Sequence, residues 1–359
     1  MNYYIKEIQT NGDMKKTAGI KARDDACQIM EDIGFKCLTV SKEDLERIEA
    51  STVKKVKSHF SAYSDFSKGL SDLHSGDCVL IQYPIINHTF LFPQIMRQLK
   101  KRNVKIILLI HDLETIHQGK RENISFRTKL RIASEEKPVL KDADVIIAHN
   151  DRMKSLFGQM NLNAQIVSLE IFDYLIPDYN KEKIKRRIIA KDEPVIIAGN
   201  LRPHKAKYIY DLPNKTEFNL YGIGFDESKS KENIHYKGSF LANEIPYNMN
   251  GSFGLVWDGN SIDTCSGIYG EYLKVNNPHK TSLYLASGIP VIIWKEAALA
   301  DFVIQNRCGL CVHNLHDIED ILKSISKEEY NDMVQSTVNI SKKLRTGYYL
   351  KNTITKSNM

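Results

Sequence analysis

No run of about 18 consecutive apolar residues interrupts the 359-residue chain, and its first ten residues, MNYYIKEIQT, form no hydrophobic signal segment. Neither a membrane-spanning nor a secreted protein is expected, and the chain reads as cytoplasmic. Cysteine is sparse. The six residues Cys27, Cys37, Cys78, Cys265, Cys308 and Cys311 are scattered, and the one close pair, Cys308 with Cys311, has no second pair to complete a metal site or a disulfide framework. Buried free thiols are expected. Charge of one sign is also weak: a net +6 falls short of a nucleic-acid signature, but suits an anionic small ligand or a loose peripheral contact with an acidic membrane surface. No repeat of short fixed period is present, which excludes a solenoid.

Two further absences bear on chemistry. The loop after the first apolar run, NGDMKKTAGIKARDDA (11 to 26), is not G-x-G-x-x-G, and Val40 at the end of the second run is followed by Ser41, Lys42 and Glu43. The acidic residue that would hold a dinucleotide ribose is missing there, so a nicotinamide dehydrogenase is disfavoured. WDGNSIDTC (257 to 265) carries Asp258 and Asp263 without an Asp-x-Asp pair, and no histidine pair stands at helical spacing. No metal and no other cofactor is expected.

A hydrophobic fraction of 42% over 359 residues supports about two domain cores. Short, continuously apolar, β-branched runs alternate with longer polar stretches of helical spacing. Strands are expected at 3 to 10, 36 to 40, 78 to 84, 104 to 112, 144 to 150 and 165 to 172, and again at 194 to 201, 217 to 225, 233 to 240, 252 to 259, 290 to 294 and 309 to 312. Such runs belong to parallel sheets covered on both faces. The expected fold class is α/β: two Rossmann-like, doubly wound domains facing across a cleft. We expect a first domain over 1–175, a charged linker over 176–192, a second domain over 193–338, and a C-terminal helix over 339–359 that returns to the first domain.

In an open parallel sheet, ligands bind beyond the carboxyl ends of the strands. In AGNLRPHKAKYI (198 to 209), Gly199 permits a tight turn while Asn200, Arg202 and Lys205 supply donors and two cations suited to a pyrophosphate. An exposed basic turn is the alternative. NNPHKTSLYLASGIPVIIW (276 to 294) opens a helix with Pro278, leaving the backbone N–H groups of His279 to Thr281 to face an anion with the helix dipole behind them, and Lys280 adds a full charge. A helix start capped by Asn277 explains less of that stretch. LLIHDLETIH (108 to 117) ends an apolar run in His111 and Asp112. Either could take a proton from an acceptor hydroxyl, with Asp112 the first candidate, although an aspartate there also serves as a helix N-cap.

The two-domain plan, the basic strand-end loop at 199 to 205, and YLKVNNPHKTSLYLASGIPVI (272 to 292) resemble the GT-B glycosyltransferases. More narrowly, they resemble the bacterial branch holding the glucosyltransferase that extends O-linked N-acetylglucosamine on serine-rich repeat adhesins, together with related galactofuranosyltransferases. The resemblance implies a metal-independent transfer of a hexose, glucose first, from a UDP-sugar to an acceptor sugar hydroxyl in surface glycan or glycoprotein assembly. Galactofuranosyl transfer is the alternative, and a non-catalytic GT-B-like subunit is the alternative of another class. It places Arg202 and Lys280 on the nucleotide diphosphate, Asn277, His279 and Thr281 near the donor, Tyr221 beside the uracil, and Thr17 and Gly19 across the cleft at the phosphate or sugar. It also implies a glycan or glycopeptide acceptor ending in N-acetylglucosamine, and a homo-oligomer. One departure is that Ser282, Leu283, Tyr284 and Leu285 stand where the commoner GT-B pattern has a glutamate for the ribose.

Overall fold

The structure is a computed structural model describing residues 1–8, 18–41, 52–114, 116 and 125–357. All twelve expected strands form: β1 (Asn2–Ile8), β2 (Lys36–Ser41), β3 (Cys78–Tyr83), β4 (Lys105–Ile110), β5 (Val145–Ala148), β6 (Gln165–Ser168), β7 (Val195–Asn200), β8 (Phe218–Ile223), β9 (Ile234–Tyr236), β10 (Gly254–Val256), β11 (Val291–Trp294) and β12 (Gly309–Val312). They build two six-stranded parallel sheets, ordered β2-β1-β3-β4-β5-β6 and β12-β11-β10-β7-β8-β9. The chain divides into two compact units. The first holds 1–14, 26–169 and 350–359, and the second holds 15–25 and 170–349. Helix Ala18–Asp32 and helix Tyr348–Lys356 are each divided between the units.

Several strands stop short of the carboxyl ends of their expected runs, by one residue in β3 and β7 and by four in β6 and β9, where the chain turns into the loop at the sheet's edge. In the first unit, β3 and β4 are sealed on both faces, with Val79, Ile106, Leu108 and Ile110 at or near zero exposure. Continuous burial of this kind is the reason a parallel strand needs no polar alternate. The stretch expected as a plain linker is more ordered than its composition suggests. Asn180 caps a short helix, Lys181–Lys185, by accepting from Lys183 N–H at 3.0 Å, and Ile189 pairs with Gly251.

The second sheet is closed by helix His279–Ala286 and by Lys327–Arg345, whose start is a reciprocal capping box between Ser326 and Glu329. Tyr284 fixes the first of these helices in place. Its ring lies on Gly254, where a Cβ would come within 2.2 Å of it, and its hydroxyl accepts the buried Ala198 N–H of β7 at 2.6 Å. Tyr284→Phe keeps the ring but strands that N–H, and is expected to cost the second unit about 1–3 kcal/mol, measured as a lowered urea midpoint at unchanged m-value.

All six cysteines are free thiols. Four are buried as expected, but Cys37 is exposed and Cys311 half-buried. Both lie on edge strands, β2 and β12, where one face is only partly covered. Among the described residues no helix is long and apolar enough to cross a membrane.

Candidate active site

In the second unit the connections run from β7 outward through β8 and β9, and from β10 outward in the other direction through β11 and β12. The crevice therefore lies at the carboxyl ends of β7 and β10. That is where the expected basic loop falls. Asn200 ends β7 and its Oδ1 accepts Arg202 N–H at 3.1 Å, which bends the chain into the short helix Pro203–Ala206. Arg202 is exposed. The Lys205 carbonyl accepts Gly259 N–H at 2.8 Å, tying this loop to the end of β10, while the Lys205 ammonium lies 5.5 Å from the centre of the Tyr269 ring. The loop fits closely against β8. Gly222 has φ 148° and pairs with Gly199, and a Cβ on it would fall 1.8 Å from the Gly199 carbonyl oxygen.

Lys280 reaches the same edge from helix His279–Ala286. Its ammonium donates to Asp258 Oδ1 at 2.7 Å and to the Trp257 carbonyl at 3.0 Å. The charge expected to stand open is thus already engaged by a carboxylate. The physical reason is the burial of Asp258, which is 4% exposed at the end of β10 and requires a counter-charge. Lys280 and Asp258 together place a fixed, oriented ion pair beside the Arg202 loop.

The start of the helix also differs from expectation. Pro278, not Asn277, is the N-cap, and Thr281 N–H is not open to a ligand because it bonds to the Pro278 carbonyl at 2.9 Å. Asn277 is buried, and its side-chain amide donates to the Glu170 carbonyl at 3.1 Å. Ser282 likewise donates to the Phe172 carbonyl at 2.6 Å, so residues 277 and 282 fasten the segment 170–172 to this helix. Thr281 is wholly buried. Ser287 caps the far end and Gly288 follows at φ 77°, as the Gly-Ile-Pro turn requires.

Tyr221 does not line an open surface. It is 2% exposed and its hydroxyl meets the backbone of Asn250, accepting N–H at 3.0 Å. Because β8 is covered on both faces, a tyrosine in it is a core residue with a satisfied hydroxyl, and no base can stack there. Half-exposed aromatics at this edge include Tyr210, Phe225, Tyr236 and Tyr269, with Tyr210 and Phe225 stacked at 5.7 Å between centroids. Thr17 lies outside the described residues, and Gly19 is the second residue of helix Ala18–Asp32.

The sequence reading missed a buried polar cluster behind His279. Lys21, 7% exposed, donates to Asp25 Oδ1 at 2.5 Å and to the Leu175 carbonyl at 2.7 Å. Asp25 in turn accepts Leu175 N–H at 3.0 Å. The Lys21 ammonium lies over the Tyr174 ring at 4.9 Å, and Tyr174 packs on the His279 imidazole at 5.0 Å. Burial pushes the Asp25 carboxyl up to about 6, with Lys21 opposing, and pushes His279 down to about 4, with Lys21 adding to it. The only signal in the sequence is a Lys and an Asp four residues apart on one helix face.

At the carboxyl edge of the first unit, His111 and Asp112 follow β4. His111 Nε2–H donates to Gln82 Oε1 at 2.7 Å, which occupies that nitrogen. Asp112 Oδ1 accepts Leu113 N–H at 2.8 Å, and its charge acts on His149 at the end of β5. His149, a residue the sequence reading passed over, is buried and donates to the Ile110 carbonyl at 3.1 Å. Burial pushes its imidazole down to about 4, against the opposing pull of Asp112. Its neutral form is selected by folding, so its contribution to stability is complete above the ordinary histidine value of 6.5 and is lost as pH falls toward 4. The thermal midpoint of the protein is expected to drop over that window, and His149→Asn to drop less steeply, read by calorimetry at a series of pH values. No group of three or more histidine, cysteine, aspartate or glutamate side chains suited to a metal ion occurs among the described residues.

The family models for the N-terminal and C-terminal domains of glucosyltransferase 3-like proteins match residues 2–171 and 195–357. The chain belongs to the glucosyltransferase 3-like family. Glucosyltransferase 3-like proteins are glycosyltransferases, and so is this enzyme. It is 32% identical over 355 residues to a β-1,6-galactofuranosyltransferase of Escherichia coli strain K12, covering 98% of this chain and 97% of that protein. It is 23% identical over 344 residues to glucosyltransferase 3 of Streptococcus gordonii, covering 94% and 92%. Among solved structures, sucrose-phosphate synthase of Thermosynechococcus elongatus superposes with a TM-score of 0.59 at 14% identity, covering 99% of this chain and 97% of that one. An α,α-trehalose 6-phosphate synthase of Burkholderia multivorans gives 0.58 at 11% identity, covering 99% and 97%. The fold is that of the GT-B glycosyltransferases, in agreement with the sequence reading.

Proposed function

We propose that the enzyme transfers a hexose from a UDP-sugar to a hydroxyl of an acceptor sugar, and that it does so without a divalent cation. What supports this reading is the edge at the switch point of the second sheet, where exposed Arg202 and half-buried Lys205 lie on one loop tied by the Lys205 carbonyl to Gly259, next to the Lys280–Asp258 pair at the end of β10. As the glycosidic bond breaks, negative charge grows on the leaving diphosphate, and fixed donors stabilise that charge without reorganising. Arg202 supplies a planar fork for two phosphate oxygens. Lys280, oriented by Asp258, supplies a point charge. On the first unit Asp112 is the proposed base that takes the acceptor proton, with His111 and His149 around it.

Glucose is the leading donor, supported by the glucosyltransferase relatives of Streptococcus. Galactofuranose is the second reading, supported by the greater identity to the E. coli galactofuranosyltransferase. A glycan or glycopeptide acceptor ending in N-acetylglucosamine, a cytoplasmic location, a homo-oligomeric state and a peripheral membrane contact belong to the same proposal. The test is a matrix of UDP-glucose, UDP-galactose and UDP-galactofuranose against sugar acceptors, read by mass spectrometry in the presence of a chelator. Product from one donor is expected; no turnover of any UDP-sugar would remove the reading, and turnover only on adding manganese would remove its metal-free part.

A further inference from the structure

We propose that the first unit carries a face that lies on an anionic lipid surface, formed by Val53, Val56, Phe60, Phe90, Phe126 and Leu130 with cations on its flanks. This inference rests on the transferase reading above and gives its membrane contact a place in the fold.

Helix Thr52–Gly69 has two apolar sides. Ser58, Ala62 and Phe66, at i, i+4 and i+8, are buried and face the core of the first unit. Val53, Val56 and Phe60, at i, i+3 and i+7, run along the opposite side and are exposed. A helix on the surface carries polar residues on that side unless something covers it. The apolar row continues onto the loop after β3. The exposed Phe90 ring meets Phe60 at 6.4 Å and His59 at 4.8 Å, and Thr89 Oγ1 donates to the His59 carbonyl at 2.9 Å. The same loop reaches a second helix, since His88 Nε2 lies 2.6 Å from Glu135 Oε2 on the π-helical turn Ile132–Glu136, which carries helix Phe126–Arg131 into Lys137–Asp142. On helix Phe126–Arg131, Phe126 and Leu130 share one side at i and i+4, and Phe126 stands 79% exposed. In the second unit Ile188, Leu241, Ile268 and Ile304 are exposed one to a segment, as single surface side chains are in any protein.

Charge identifies what covers this face. Residues 52–60 and 126–134 hold six lysines and arginines and no aspartate or glutamate. Lys54, Lys57 and Lys129 are exposed beside the apolar rows. Apolar rows flanked by cations, with no acid among them, are the pattern of helices that lie in the interface of an anionic bilayer. A second copy of this chain fits less well, because two-fold pairing of the patch with itself sets cation against cation. The position also suits the reaction. Both helices follow strands of a parallel sheet and so begin at its carboxyl edge, the edge at which His111 and Asp112 follow β4. An acceptor held at a lipid surface would meet the first unit on that edge.

The test is flotation of the full chain with vesicles of phosphatidylcholine alone and of phosphatidylcholine mixed with an equal part of phosphatidylglycerol. The wild type should partition onto the anionic vesicles about 10-fold or more above the neutral ones, and less strongly as salt rises. Phe60→Ser/Phe126→Ser removes two apolar anchors and should lower partition onto anionic vesicles about 10-fold or more. Lys54→Glu/Lys57→Glu should lower it by a similar factor on the anionic vesicles and leave the neutral ones unchanged. All four side chains are exposed, so the thermal midpoint and UDP release to a soluble sugar acceptor should not change. A purely structural role would move those two quantities and leave vesicle binding alone. Phe126→Trp gives a further readout in the folded protein: its emission should shift to the blue on anionic vesicles, over a constant background from buried Trp257 and Trp294. Equal partition onto both vesicle types, or no loss in either double variant, would overturn the proposal. So would an oligomer, seen by sedimentation, that Phe60→Ser/Phe126→Ser dissolves, since it would assign the face to a second copy. If the wild type turns over no UDP-sugar, the transferase reading fails, and flotation still decides what this face binds.

Discussion

Lys280→Ala is expected to cost both activity and stability, and a second substitution separates the two. Removing the ammonium leaves Asp258 buried with no counter-ion, and breaking a buried pair from one side costs about 3–5 kcal/mol. Removing a fixed positive group from the leaving diphosphate should lower kcat by about 10²–10³-fold. In Lys280→Ala/Asp258→Asn the stranded carboxylate is gone, so most of the stability should return. Activity should not return, because the group that meets the diphosphate is still missing. If the double variant regained activity along with stability, Lys280 would serve only to neutralise Asp258, and its proposed role would be wrong. Denaturant titration and UDP release, measured on the same three preparations, give both quantities.

Arg202→Ala should show the complementary pattern. Arg202 is exposed and opens a helix of only four residues, so its loss should change stability by no more than about 0.5 kcal/mol. If its guanidinium holds two phosphate oxygens, affinity for UDP should fall by about 10–100-fold, the range of a lost charge-assisted hydrogen bond, while affinity for uridine stays unchanged. Arg202→Lys should recover only a small part, since an ammonium cannot make the paired contact. Equal losses for UDP and uridine would move Arg202 away from the phosphates. An unchanged KM for the UDP-sugar would remove it from the site.

How far the sequence alone leads depends on whether a feature is local. Strands such as CVLIQY and KIILLI are buried on both faces, so their apolar runs are unbroken and readable without partners. The position of Arg202 and Lys205 follows directly, because the end of an apolar run marks the carboxyl edge. Tyr221, placed beside the uracil by the resemblance, is a core residue, and a strand covered on both faces offers no alternation that tells an outward residue from a core one. The pairing of Lys280 with Asp258 joins two strand-end segments 22 residues apart, and depends on how β10 and helix His279–Ala286 pack. Nothing local announces it. The Lys21–Asp25–Leu175 cluster spans 154 residues and shows in the sequence only as an unremarked Lys-x-x-x-Asp. Cap geometry was similarly hidden, since Asn277 was available as a cap but is used instead to hold the Glu170 carbonyl.

The central claim is that the crevice between β7 and β10 holds the departing diphosphate by protein groups alone. A crystal structure of the enzyme with UDP, grown in a chelator, tests it most directly. The account predicts both phosphates within hydrogen-bonding reach of Arg202 and of the Lys280 ammonium beside Asp258, with no ion between them. UDP bound at another edge of the sheet, or seen only when manganese is supplied and bridging the phosphates, would contradict it.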